Sequence, residues 1–209
     1  FFILFCALSL TALSDNWPQW RGPTYNGVSV EKGLPVEWSE AENVAWKLEL
    51  PGGSSATPIV WGKKIFLMAQ TEKQISLLCV STAGGNLWMA KVADSRAKGA
   101  NEKTLASPSP STDGKRVYTM TGDGEVVAFD FAGKEVWRFN AQERYGRLRL
   151  GFGYHTTPVL HDSRLYLQLI HSGGAWVVAI DSASGRELWK VERPSDGTNE
   201  CEHAYTSPS

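Results

Sequence analysis

A unit that opens with a small residue beside proline and closes on tryptophan returns along this chain about every fifty residues. The full copies run from Ser55-Ala56-Thr57-Pro58 to Trp88, from Pro108-Ser109-Pro110 to Trp137, and from His155-Thr156-Thr157-Pro158 to Trp189. A further copy opens at Thr206-Ser207-Pro208. The module prolines Pro58, Pro110, Pro158 and Pro208 are 52, 48 and 50 residues apart. A period of that size, built from short strands, means a propeller or solenoid in which no unit can bury its own apolar face alone.

Each copy carries the same order of signals. In the second, LASPSPST is a strand of small residues, Asp113-Gly114 turns it into KRVYTMTG, Asp123-Gly124 turns that into EVVAFD, and Ala132-Gly133 leads to KEVWRFN. Asp-Gly between alternating apolar runs is a strong hairpin signal, since a type I′ turn needs positive φ at both positions. The first copy reads ATPIVW, KIFLMAQ, ISLLCVS and NLWMAKV; the third reads TTPVLH, RLYLQLIH, AWVVAID and RELWKVE. The fold class is therefore all-β, a propeller of four-stranded antiparallel blades. Small residues on the first strand suit the crowded axis, and proline can open such a strand without losing a ladder bond.

Tryptophans Trp88, Trp137 and Trp189 stand at one register, four residues after Gly84, Gly133 and Gly185. Three indoles at one register read as structural wedges between blades. Trp46, in NVAWKLEL, shares that register and predicts an outer strand whose blade is completed by the other end of the chain. A closed ring needs roughly four to eight blades. We therefore read the chain as the first part of a ring of seven or eight, with the remainder of the same chain required to close it.

Residues 1–14, FFILFCALSLTALS, read as the later part of a secretory signal with small residues before Asp15. The apolar run is several residues short of the roughly 20 that span a bilayer, so no transmembrane span is expected. Phe5 stands where a lipid-anchored cysteine at Cys6 would want a small neighbour. Residues 15–42 follow as an N-terminal extension and 43–209 as the propeller, with blades near 54–93, 105–141 and 154–193 and the next opening at 204. The expected location is periplasmic or extracellular, in a bacterium. A net charge of −1 argues against nucleic acid as a partner. Cys79 and Cys201 are read as unpaired, because one falls in a strand and the other in a loop two blades on.

VVAFDFAGKEVW and VVAIDSASGRELW resemble the repeat of the PQQ-binding-like β-propeller family, the fold of quinoprotein dehydrogenases, and NWPQWRGP resembles the start of many secreted bacterial members. WD repeats fit worse, since Met89, Arg138 and Lys190 follow the tryptophans where that repeat has aspartate. The resemblance implies a ring that in some members holds PQQ and calcium beside a carboxylate base. In this chain Ser54–Trp61, Leu105–Thr112 and His155–His161, the stretches expected at the channel mouth, contain no Asp or Glu, and no vicinal cysteine pair occurs.

The expected function is a non-enzymatic binding or scaffolding module whose ligand face is built from the loops between blades. Two alternatives stay open: a PQQ-dependent oxidoreductase whose catalytic groups lie outside these blades, and an envelope assembly factor resembling BamB. No catalytic residue is assigned. The interblade loop Ala141–Gly153 holds Arg144, Arg147 and Arg149 with Tyr145 and Phe152, and Tyr154 follows. Arginine among aromatics suits an anionic or polymeric ligand, or a protein partner. His155 and His203 lie three and five residues before their module prolines, an even offset that keeps both on one face of extended chain. Glu200, Cys201 and Glu202 add oxygen and sulfur beside His203, but the spacing matches no closed metal site, and none is assigned. His161 and His171 read as turn residues, and Trp17, Trp20 and Arg21 as a clasp packed on the side or floor of the ring. No phosphate-cradling loop, nucleophile elbow or HExxH is present.

Overall fold

The computed structural model describes residues 16–95, 105–150 and 153–208. The signal-like run 1–14 with Cys6, and Phe152 of the arginine loop, lie outside the described residues. Twelve strands form three four-stranded antiparallel sheets in chain order. The first comprises β1 (Ile59–Trp61), β2 (Lys64–Gln70), β3 (Gln74–Ser81) and β4 (Asn86–Asp94). The second comprises β5 (Ser111–Thr112), β6 (Arg116–Met120), β7 (Glu125–Asp130) and β8 (Glu135–Asn140). The third comprises β9 (Val159–His161), β10 (Arg164–His171), β11 (Gly174–Asp181) and β12 (Glu187–Glu192). The sheets touch through their first strands, β1 on β5 and β5 on β9. These are three successive blades of a β-propeller.

Alternation along the middle strands explains why they read as nearly unbroken apolar runs. On β6 and β7, Val117, Val127 and Phe129 face the first blade and join a core with Ile59, Phe66, Met68 and Leu77. The intervening Tyr118, Met120, Val126 and Ala128 face the third blade and join Leu165, Leu167, Leu169, Val178 and Ile180. On a strand packed on both faces a polar side chain needs an internal partner, as Thr119 of β6 has in the Val127 carbonyl (3.2 Å).

The outer ends of the blades are joined by the tryptophans. The Trp46 indole lies on Gly84, Trp88 on Gly133 and Trp137 on Gly185, so that a Cβ at these glycines would come within 2.7, 2.9 and 2.8 Å of the rings. All three glycines have positive φ, 88°, 83° and 70°, which adds a second reason for glycine. Each indole also donates its N–H to a carbonyl of the same turn: Thr82 (2.9 Å), Phe131 (3.1 Å) and Ser182 (3.0 Å). Trp189 stands at the same register but has no such glycine seat among the described residues. It is 41% exposed and leans on Tyr166 of its own blade.

Three local expectations are corrected. NVAWKLEL is extended but is not a strand, because no neighbouring chain among the described residues pairs with its backbone; Trp46 still docks at the expected register. The inner strands begin only after the module prolines and are short, two or three residues. At Asp113-Gly114 and Asp123-Gly124 only the glycine has positive φ, 82° and 84°. Asp113 instead accepts the amides of Lys115 and Arg116 through Oδ1, an Asx turn that needs no left-handed aspartate. The turn with two positive φ values is Asp162-Ser163 in the third blade, at 46° and 60°.

Candidate binding site at the mouth of the channel

The inner strands expose their inward edges toward the axis, and their amides and carbonyls need partners there. The segment around Trp17 supplies them. Trp17 exchanges two backbone hydrogen bonds with Val60 (2.8 and 2.9 Å), Pro18 accepts from the Thr112 N–H (2.8 Å), and the Tyr25 hydroxyl donates to the Leu160 carbonyl (2.7 Å). Val60, Thr112 and Leu160 each lie two residues after their module proline, so the segment meets the same register position on three consecutive blades. It therefore runs along the channel-facing edge, and not over the side or floor as the sequence suggests, because that edge carries the unpaired backbone groups.

Beside this strap a second set of contacts ties the blades together. The backbone N–H of Thr57 donates to Ser109 Oγ (2.9 Å), that of Ser109 to Thr157 Oγ1 (3.0 Å), and that of Thr157 to Ser207 Oγ (2.9 Å). Each of these four residues immediately precedes its module proline. Proline holds the residue before it in extended backbone. That conformation aims each N–H at the next blade, and a hydroxyl at the same position receives it.

Two residues earlier, on the same face of each extended segment, stand Ser55, Ser107, His155 and Tyr205. With the hydroxyl ladder they wall a cavity of about 650 Å³, whose remaining lining includes Trp20 and Arg21 from the strap. Ser107, Ser109 and Thr157 are buried, while Ser55 and Thr57, on the first of the described blades, are exposed. The Trp20 indole N–H is buried without a hydrogen-bond partner, and the Arg21 guanidinium lies 5.5 Å from the centre of the Trp20 ring. None of the described residues lining this cavity is a carboxylate.

The other residues singled out in the sequence are dispersed. Arg144 sits in the short helix α1 (Ala141–Tyr145), capped by Asn140. Its guanidinium lies 3.8 Å over the Phe139 ring and donates to the Gly185 carbonyl (2.9 Å), so it clamps the outer junction of the second and third blades. Tyr145 is buried beneath it, and burial with Glu187 nearby pushes its phenol up to about 12. Tyr154 is buried and donates to the Gln168 carbonyl (3.0 Å); burial raises its pKa far above the ordinary value.

Arg147 and Arg149 are exposed and pass the hairpin turn after β10, where the Ser172 amide donates to the Arg149 carbonyl (3.4 Å). His171, at that turn, is buried: its Nδ1 accepts the Gly173 amide (3.0 Å), which assigns the proton to Nε2. Burial, then the charges of His203 and Arg149, hold its pKa below the ordinary value. His203 packs on Tyr205, its Nδ1 3.3 Å from the hydroxyl. Thus His155 lines the cavity while His203 does not, its charge acting on His171, and the residue at the cavity position equivalent to His155 is Tyr205. His161 meets Tyr25 of the strap edge to face at 5.8 Å. Cys79 is buried and Cys201 exposed, and both are free. The Glu200 side chain lies outside the described ones.

Of the residues that build the cavity, the sequence reading singles out His155 but passes over the serines and threonines beside the module prolines and Tyr205. Their signal was visible: Ser or Thr before the module proline in all four copies, and Ser, His or Tyr two positions earlier. The fold's quinone chemistry calls for calcium, which takes six to eight oxygen ligands with carboxylates among them. The lining here offers hydroxyls, an imidazole and a guanidinium, and among the described residues no group of three His, Cys, Asp or Glu is placed to hold a metal ion. The residues of these blades do not fit the quinone–calcium pair. Among the described residues no helix is long and apolar enough to cross a membrane.

Comparison with known proteins places this architecture. A PQQ-type family model described as outer membrane protein assembly factor BamB matches residues 73–207, well over half of the chain. No curated protein shows significant similarity. Among solved structures, the chain is similar to the quinohemoprotein alcohol dehydrogenase of Comamonas testosteroni, with 21% identity and a TM-score of 0.53 over 68% of this chain and 21% of that one. A europium-containing methanol dehydrogenase gives 15% identity and a TM-score of 0.57, over 71% and 26%. Quinohemoprotein alcohol dehydrogenase ADHIIG of Pseudomonas putida HK5 gives 19% and 0.50, over 75% and 24%. The chain thus spans about a quarter or less of the length of these dehydrogenases, and at such identities the likeness is one of fold. With the repeat, the glycine-seated tryptophans and the family match in agreement, the chain belongs to the PQQ-like β-propellers of the BamB-described family.

Proposed function

We propose that the chain acts as a non-enzymatic binding or scaffolding propeller, in the bacterial periplasm or outside the cell, whose ligand face is the channel mouth and the loops leading into it. The observation that carries this reading is the cavity wall. Four blade entrances each contribute a polar, uncharged or weakly basic side chain, while the strap adds Trp20 and Arg21. General acid–base chemistry on an alcohol needs a carboxylate or equivalent base within reach of the substrate proton. The lining residues include no carboxylate; beside one imidazole, His155, they offer hydroxyls, an indole and a guanidinium, which are recognition groups. Arg147 and Arg149, exposed at the same junction of blades, extend the polar surface.

The test is reconstitution of the full-length protein with PQQ and Ca²⁺. The expected result is no quinone absorbance in the purified protein and no dye reduction with alcohols. Turnover at a rate proportional to bound quinone would overturn the reading and leave the oxidoreductase in its place.

A second reading, an envelope assembly factor, draws support from the description of the matching family. Its partners would be proteins, held on loops rather than in the cavity. Co-purification of the outer-membrane barrel insertion machinery with the full-length protein would favour it, and a soluble periplasmic protein without that partner would count against it.

A further inference from the structure

We propose that the cavity at the channel mouth is an oxyanion site, receiving a carboxylate, phosphate or sulfate group of its ligand. The inference deepens the binding-module reading and rests on it. It follows from counting hydrogen-bond capacity. A hydroxyl has one proton to give and lone pairs to receive. Ser109, Thr157 and Ser207 each receive a backbone N–H from the neighbouring blade, which leaves each with its own proton to donate. Ser109 and Thr157 are only 6% and 4% exposed, so water meets that demand poorly, and among the described residues neither hydroxyl has an acceptor.

The Trp20 indole N–H adds a further donor, buried and without a hydrogen-bond partner. Arg21 forms no ion pair among the described residues, and none of the described residues in the wall is a carboxylate that would neutralise it. A buried donor left unmet costs roughly 1–3 kcal/mol, and donors that converge beside an unpaired guanidinium select an acceptor-rich, negatively charged group. An uncharged polyol would bring donors of its own and satisfy these groups less well. The volume of about 650 Å³ exceeds that of an inorganic ion, so the oxyanion is one end of a larger molecule.

Calorimetric titration of the full-length protein at low ionic strength, with citrate, inorganic phosphate and uncharged inositol as probes, tests the assignment. Citrate and phosphate should bind saturably, inositol should not, and added chloride should weaken binding. Arg21→Gln, which leaves the hydroxyl ladder intact, should weaken citrate by about ten- to hundredfold at an unchanged melting temperature. Ser109→Ala should weaken it too, and its melting temperature reports separately on the seam. Inositol binding as well as citrate, or Arg21→Gln binding citrate like the wild type, would overturn the oxyanion assignment while the binding module stood. Quinone-dependent turnover would remove the module reading instead.

Discussion

Beyond the apolar core they share, neighbouring blades meet at the rim and at the axis, and these two joints are made of different materials. At the rim an indole lies on a glycine turn and donates one hydrogen bond, so the joint is chiefly packed surface. At the axis a single backbone N–H reaches a hydroxyl on the next blade, so the joint is chiefly hydrogen bond, with little volume around it. The rim resists separation by burial and close contact. The axis instead fixes rotation and leaves a polar hole for a ligand. Stability and recognition are thereby assigned to opposite ends of the same four-stranded unit.

That contrast is breakable by mutation. The largest effect belongs to Gly133→Val, which places a Cβ against the Trp88 ring at a φ of 83° and should cost about 4 kcal/mol by combined strain and overpacking. Chemical denaturation measures it, and an unchanged midpoint would mean that the indole seat is incidental. Trp137→Ala should cost about 3 kcal/mol, whereas Trp189→Ala, whose indole has no glycine seat among the described residues, should cost under about 1 kcal/mol. Equal losses for the two would show that register alone, not the seat, makes the joint.

At the axis, Ser109→Ala or Thr157→Val strands one backbone N–H and should cost about 1–2 kcal/mol, visible as a lower melting temperature. A ligand that saturates the cavity should protect the wild type more than either variant. Smaller still is the response of His171 to acid. Its pKa is depressed in the folded state, so the unfolded chain binds the proton more readily, and stability present above pH 6.5 is lost as the pH falls below that value. Denaturation midpoints of wild type and His171→Gln between neutral and mildly acidic pH should converge; parallel curves would remove His171 as the cause. Finally, Cys201 should alkylate readily in the native protein while Cys79, buried and with its thiol pushed up to about 11, should react only on unfolding.

The sequence made the rim legible and left the axis obscure, for a physical reason. Tryptophan four residues after glycine, returning at one register, is an uncommon pattern with one structural use in a repeat of this kind. Serine and threonine beside proline are common, and nothing local distinguishes a hydroxyl that crosses to the next blade from one that caps its own turn. Only the superposition of Thr57, Ser109, Thr157 and Ser207 in space, one N–H to the next hydroxyl, reveals the ladder. Arg144 looks like a ligand contact in the sequence, yet its planar guanidinium is used to cover Phe139 and bind the Gly185 carbonyl. His155 and His203 share a parity but not a blade position, and the register that pairs His155 with Tyr205 is set by the module prolines.

The strap also dictates an order of events during folding. Trp17, Pro18 and Tyr25 take their partners from three different blades, the farthest 135 residues along the chain. Closing so long a loop is slow compared with making local hairpins, so each blade can zip by itself before the strap has anything to grip. This stretch, made before the blades it holds, settles among the last, and until it does the inward strand edges remain open to any extended peptide that reaches them.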